Sequence, residues 1–280
     1  MKIQIHRNKL ISQQTENHIM KRTNPSFLFL CIVLLTSFLN IKAQTLTALF
    51  EEGEKYYYQF NNEKALEAFK KAEKIDANNF EALWKLSRTY VDIADRMPTS
   101  TDEQENAQLA VFQKALEYAD QASKQKPDQA AGFLHRAIAN GKIALFKGIF
   151  TVAGVVNSVR ADVEKAIQLG NGGNFIQGVA HYVLGRTHAK TSGKWKPARA
   201  ILGLGWADNE IALTEYKKAI EIYPGYIMFY VDYANSLIRE DDFKTAREML
   251  KKTFTCQIQH QDDEKRITEA KQILIDIKDE

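Results

Sequence analysis

A short alanine-and-aromatic pattern recurs along this chain in helical phase, and it restricts the possible folds more than any other feature. The clearest copy is residues 64–75 (KALEAFKKAEKI), where Ala65, Phe69 and Ala72 follow a preceding segment marked by Gly53 and Tyr56. The second copy pairs Leu83, Trp84, Leu86, Ser87 and Tyr90 with Ala115, Ala119, Ala122 and Pro127. The third pairs Ala137 with Val159, Val163 and Ala166, and the fourth pairs Leu184, Gly185 and His188 with Ala212, Tyr216, Ala219 and Pro224. The fifth pairs Tyr230, Tyr233, Ala234 and Leu237 with Ala246, Leu250 and Thr253. Small residues at these positions let two antiparallel helices approach closely, and the aromatics fill the space between successive pairs. Apolar residues recur at helical rather than strand spacing throughout, and the prolines fall at boundaries.

The period of about 34 residues and the A-x3-F-x2-A-x4-P signature are those of the tetratricopeptide repeat (TPR). The expected fold is all-α: a TPR-like superhelical solenoid of antiparallel helix pairs with inserted helices. Residues Arg266 to Ile277 read as a C-terminal capping helix. Met97–Asn106, with Pro98 and Thr99-Ser100-Thr101, reads as a breaker carrying a helix N-cap.

Residues 1–43 stand apart. Lys21 and Arg22 precede the apolar run Phe27–Leu39, which is short for a bilayer span, and Ala43 provides a small residue before a cleavage point. This reads as a secretory signal, with Met20 an alternative start, cleavage after Ala43 and a periplasmic destination. An uncleaved N-terminal membrane anchor is the other reading. The mature part, 44–280, is then one solenoid domain of about five repeats. The formal net charge of +3 becomes about −2 without the leader, so no basic stripe calls for nucleic acid. Cys31 leaves with the leader, so Cys256 has no partner for an internal disulfide and reads as a small core filler.

Repeats two to four each carry roughly ten to sixteen extra residues between their helices. Two of these inserts are unusually apolar. One runs from Ile143 to Val156; the other, Trp195–Trp206, is broken by Gly203 and Gly205. They either extend core helices and close the end of the solenoid, or line an apolar ligand cavity or touch a membrane. Lys142, Lys147, Lys194, Lys196 and Arg199 flank them, which suits an amphiphile with an acidic head.

In TPR geometry the second, fifth, ninth and twelfth residues of each first helix face the concave groove. That row is Phe50, Glu54 and Tyr57; Trp84, Arg88 and Val91; Leu134, Ile138 and Gly141; Tyr182, Arg186 and Ala189; Val231, Asn235 and Ile238. The mixture suits a greasy ligand or a peptide.

No catalytic, metal or cofactor site emerges. His181 and His188 lie two turns apart on one face, roughly 10 Å, too far to share one metal ion directly. Gly170–Asn174 follows a second helix, where a glycine C-cap and turn belong, and no strand precedes it. Thr191-Ser192-Gly193-Lys194 lacks the upstream glycine of a phosphate loop, and Gly203-Leu204-Gly205 lacks a third glycine. Asp241-Asp242 and Asp262-Asp263 read as turn and N-cap residues.

The order of these segments resembles the regulator of microtubule dynamics family, as a bacterial-type secreted relative. The resemblance rests on FEEGEKYYYQFNNEKALEAFKKAEKID, ALWKLSRTYVDIAD, ALEYADQASKQKP, RADVEKAIQL, HYVLGRTHA, KWKPARAILGLGWAD and DDEKRITEAKQIL, and it covers nearly all of residues 45–275. It implies one curved α-helical domain, links to microtubules and to mitochondrial or contact-site membranes, and a TPR domain that can bind phospholipid. For an exported chain the microtubule role transfers poorly, whereas lipid binding can transfer. It also directs attention to Trp84 and Arg88, and to Trp195 and Arg199. The expected function is non-catalytic binding of a lipid or other anionic lipophilic ligand in the groove, with a peripheral membrane contact. The alternative is a scaffold for a protein partner in an envelope complex.

Overall fold

The computed structural model describes residues 25–280, and the signal-like positions Lys21 and Arg22 lie outside it. Residues up to Ala48 and residues 49–280 form two separate compact units. The first described helix, α1 (Pro25–Tyr58), supplies its last residues to the second unit. That unit continues through α2 (Asn62–Ile75), α3 (Phe80–Ala94), α4 (Asp102–Gln125), α5 (Ala130–Lys147), α6 (Ala153–Leu169) and α7 (Gly173–Ser192). It ends with α8 (Lys196–Ile201), α9 (Asn209–Ile222), α10 (Ile227–Ile238), α11 (Phe243–Lys252), a 3-10 turn at Thr253–Thr255 and α12 (Asp263–Asp276). Among the described residues there is no strand. Among the described residues, the five hydrophobic clusters are built from the second unit, so a chain starting at Gln44 carries all of them.

Local chemistry sets the helix ends. The side chains of Asn61, Asn79, Thr101, Asp208 and Asp242 accept backbone N–H groups at the starts of α2, α3, α4, α9 and α11. Gly170 ends α6 in the left-handed conformation, the C-cap expected of the glycine-rich segment. Gln104 Oε1 accepts the Ser100 N–H at 2.9 Å, reinforcing the Thr101 cap. Residues 102–106 are therefore already helical, and the extra residues of the second repeat lengthen α4 instead of forming a loop.

Each helix packs chiefly on its sequence neighbours, α8 apart, as a solenoid requires. The repeat residues are the core: Ala65, Phe69, Ala72, Ala115, Ala119, Ala122, Val163, Ala166, Ala212, Tyr216, Ala219, Ala246 and Leu250 are fully or almost fully buried. Burying a side chain the size of Phe69 or Leu83 contributes about 2 kcal/mol. Helix α12 starts three residues before the expected Arg266 and closes the terminal cluster through Ala270. Cys256 packs beside that cluster, as expected of a filler.

The inserts of the third and fourth repeats take different forms. The first adds length to both α5 and α6 and a short turn around Gly148, but no helix of its own. The second forms α8 and the glycine-broken loop after it. They meet in one small cluster, where the fully buried Leu204 packs with Ala144, Ile149 and Val156. Trp206 Nε1 donates to Asn157 Oδ1 at 2.8 Å across the same junction.

Close helix contact is most demanding at Gly132, where a Cβ would stand 2.8 Å from Ser123 N and 2.9 Å from its Cα. Backbone cannot step aside as a side chain can. Gly132→Ala is expected to cost about 1–3 kcal/mol, read as a lower urea midpoint at unchanged slope. An unchanged midpoint would show that α4 and α5 have room to separate.

Candidate functional site

The first helices of four repeats bring their inward rows to one cavity of about 220 Å3. Tyr57 from α1, Arg88 and Val91 from α3, Leu134, Ile138 and Gly141 from α5, and Tyr182 and Arg186 from α7 all line it. The first apolar insert adds Leu145, Ile149 and Val156 to the wall. Val159, Val179 and Met228 extend the apolar lining.

The remaining groove positions lie elsewhere. Val231 is fully buried in the terminal cluster with Ile227, Ala234 and Ala270, and Asn235 is half-buried and does not line the cavity. Helix α12 covers α10 and walls the cavity with Arg266, while the chain leading into it adds His260 and Asp262. Trp84 stacks on the His135 ring at a centroid distance of 5.2 Å, with the Lys85 ammonium 4.4 Å from its own ring. Trp195 is 71% exposed at the start of α8. Arg199 is buried and donates to the carbonyls of Lys194 and Ala207 at 3.0 and 2.8 Å, which ties the second insert into a loop. Neither lines the cavity.

Most charges at the cavity are neutralised by the scaffold. Arg88 donates to Glu54 Oε1 at 2.6 Å while its guanidinium lies 3.6 Å from the Tyr57 ring, and Lys85 also pairs with Glu54. Burial alone would raise the Glu54 carboxyl, but Arg88 and Lys85 hold it below its ordinary range. Lys142 pairs with Asp95, and Arg266 with Glu269 at 2.8 Å. Arg186 pairs with Asp232, which also accepts the Tyr182 hydroxyl at 2.6 Å. Lys190 lines the cavity with no carboxylate partner among the described residues. Burial pushes the His135 imidazole down to about 3, so it is neutral at any working pH.

The last wall is a latch between distant parts of the chain. Gln261 Nε2 donates to Phe60 O at 3.1 Å, Arg96 faces Asp262 at 3.8 Å, and His260 Nε2 stands 3.7 Å from Asp92 Oδ1. His260 also meets the Tyr226 ring edge-on and lies near Asp262 and Asp263. Burial opposes its charge, but the hydrogen bond and charge of Asp92 outweigh it and raise the imidazole above its ordinary 6.5. Asp92, held by His260, Tyr57 and Arg88, is correspondingly lowered despite its burial. A raised histidine contributes stability that is complete below its unfolded value and is lost as pH rises through its folded value. Asp92 contributes above its own unfolded value and loses that contribution in acid. The pair therefore supports the fold best in mildly acidic solution. Wild-type protein is expected to lose thermal stability between neutral and alkaline pH, and His260→Gln to flatten that decline. Parallel pH profiles for the two proteins would contradict the latch.

His181 and His188 are held by the scaffold. His181 Nδ1 bonds Glu215 Oε2 at 2.6 Å, and His188 Nδ1 accepts from Asp208 N at 3.2 Å. Among the described residues, no three His, Cys, Asp or Glu side chains stand where they could share a metal ion. Asp242 caps α11 as expected, whereas Asp263 accepts the backbone N–H groups of Gln259 and His260 at 2.8 Å and so shapes the latch.

The sequence profile described as "Regulator of microtubule dynamics protein 1-3" matches residues 49–278, most of the chain. The chain belongs to the regulator of microtubule dynamics family. The match spans the whole repeat array together with its inserts and α12. No curated protein matches the sequence. Among solved structures, a thermophilic TPR protein from Thermus thermophilus is similar at 17% identity and a TM-score of 0.55, covering 80% of this chain and 98% of that one. Pseudomonas aeruginosa PilF is similar at 12% identity and a TM-score of 0.53, covering 84% and 93%. At such identities the likeness shows the fold alone, and that fold is a TPR solenoid.

Proposed function

We propose that this member of the family is a non-catalytic binding protein of the cell envelope whose concave cavity holds the apolar chain of an anionic amphiphile. The observation that carries the reading is the cavity itself, with aliphatic walls from α5, α6 and α7 and an unneutralised Lys190 at its lining. Its volume of about 220 Å3 lies below the range of about 300–1,000 Å3 typical of drug-sized ligands. It suits one acyl chain of modest length better than both chains of a phospholipid. Export is supported by Lys21, Arg22, the Phe27–Leu39 run and Ala43.

The TPR scaffold supports a second reading, capture of a protein partner. The latch weighs against an extended peptide in this groove, because His260 and Asp262 stand where the peptide would leave and α12 covers the fifth row. Native mass spectrometry of residues 44–280, purified without detergent and then offered a saturated fatty acid, separates the two. The amphiphile reading expects a bound mass in one or both samples. A clean protein mass in both would overturn it.

A further inference from the structure

The charge of the array is unevenly placed. Between residues 129 and 207 the chain carries ten Lys and Arg but only two acids, Asp162 and Glu164. Both acids are taken, Asp162 by Arg136 and Glu164 by Arg160. Four lysines at the inserts, Lys147, Lys190, Lys194 and Lys196, are exposed and have no carboxylate partner among the described residues. Large apolar side chains project beside them: Trp195 is 71% exposed, Ile201 84%, Phe150 39% and Leu202 38%.

The two inserts pack on each other, so these groups lie on neighbouring segments. Leu145, Ile149, Lys190, Lys194 and Arg239 surround a single shallow depression. Leu204, beside Leu202, is buried against Ile149, beside Phe150. Arg239 donates to Ala189 O and Ser192 Oγ and has no carboxylate partner among the described residues. The depression adjoins the cavity, because Leu145, Ile149 and Lys190 line both.

We propose that this insert edge docks onto an anionic lipid bilayer, with Trp195, Ile201 and Phe150 entering the headgroup layer and the lysines holding the acidic heads. Charge complementarity identifies the surface, since unpaired lysines around projecting apolar tips are what an anionic membrane attracts. Tryptophan favours the membrane–water interface. The edge also sets the cavity mouth against the bilayer, where a chain can pass between them. Uptake of a ligand in solution reads the cavity and vesicle binding reads the edge, so either can fail alone.

The test is co-sedimentation of residues 44–280 with vesicles of phosphatidylcholine alone or mixed with phosphatidylglycerol. Binding is expected only to the mixed vesicles and should weaken as salt rises. Each lysine near such a surface contributes about a fivefold factor, so K194Q/K196Q should bind about thirtyfold more weakly. W195S/I201S, which alters only exposed side chains, should lose more than about tenfold. Failure of wild-type protein to bind mixed vesicles would overturn the proposal, as would binding that neither double variant weakens. Loss in the lysine variant alone would also overturn it, by pointing to an acidic protein or another polyanion as the occupant.

Discussion

Replacing Arg186 with methionine is expected to remove about 3–5 kcal/mol of stability, the largest single effect in the array. Arg186 lines the cavity, yet its guanidinium bonds Asp232 and, at 2.8 Å, the Tyr182 hydroxyl. Asp232 is 7% exposed and receives the Tyr182 hydroxyl as well. Among the described residues, removing the cation leaves the buried carboxylate hydrogen-bonded by a neutral phenol, with the Arg266 charge acting on it without a hydrogen bond. The pair joins α7 to α10, so the loss falls on the contact between the fourth and fifth repeats. Urea unfolding reads it directly. Removing both charges, as in R186M/D232L, should restore much of the loss, since the penalty comes from the orphaned carboxylate. A single variant within about 1 kcal/mol of wild type would show that Asp232 is well solvated. Arg186 would then be free to meet a ligand's acidic head.

Gly141 offers the opposite kind of change. It lies within α5 and lines the cavity, and a Cβ there would meet nothing within 4 Å. Gly141→Phe should therefore fill the cavity without displacing the scaffold. An interior helical glycine is also unfavourable by about 0.5–1 kcal/mol relative to alanine, so the variant should melt no lower than wild type. Its uptake of an amphiphile should fall by more than about tenfold, or 1.4 kcal/mol. Gly154→Leu provides the control, because Gly154 is exposed, has the same open space and lies outside the cavity. Equal uptake by both variants would place the ligand elsewhere.

The scaffold was legible because its information is local. Ala65, Phe69 and Ala72 lie on one face of one helix, and the same spacing returns in each repeat, so helix type, pairing and core followed from the period alone. The period also brought Tyr57, Arg88, Leu134, Ile138, Tyr182 and Arg186 to one cavity, whereas Phe50, Glu54, Trp84 and Ala189 of the same row do not line it. Glu54 and Arg88, whose side chains pair, lie 34 residues apart, one repeat length. Arg186 and Asp232 pair 46 residues apart, one repeat plus an insert, and the insert hid that relation.

The residues that left the pattern were harder to place. Trp195 and Arg199 stood out by type, but one projects from the surface and the other holds backbone carbonyls. His260, Asp262 and Arg266 follow no repeat position, so nothing in the period placed them opposite Asp92. Covering of the fifth row depended on how α12 folds back, a contact between segments with no shared periodicity.

Locating a ligand in the cavity is the most direct test of that cavity as a binding site. Residues 44–280 should be crystallised with a fatty acid brominated along its chain, and bromine located by anomalous scattering. A bromine site is expected between Leu134 and Ile138 on one side and Val179 on the other, absent in the Gly141→Phe protein. Bromine found only on the outer surface, or persisting unchanged in the Gly141→Phe protein, would contradict it.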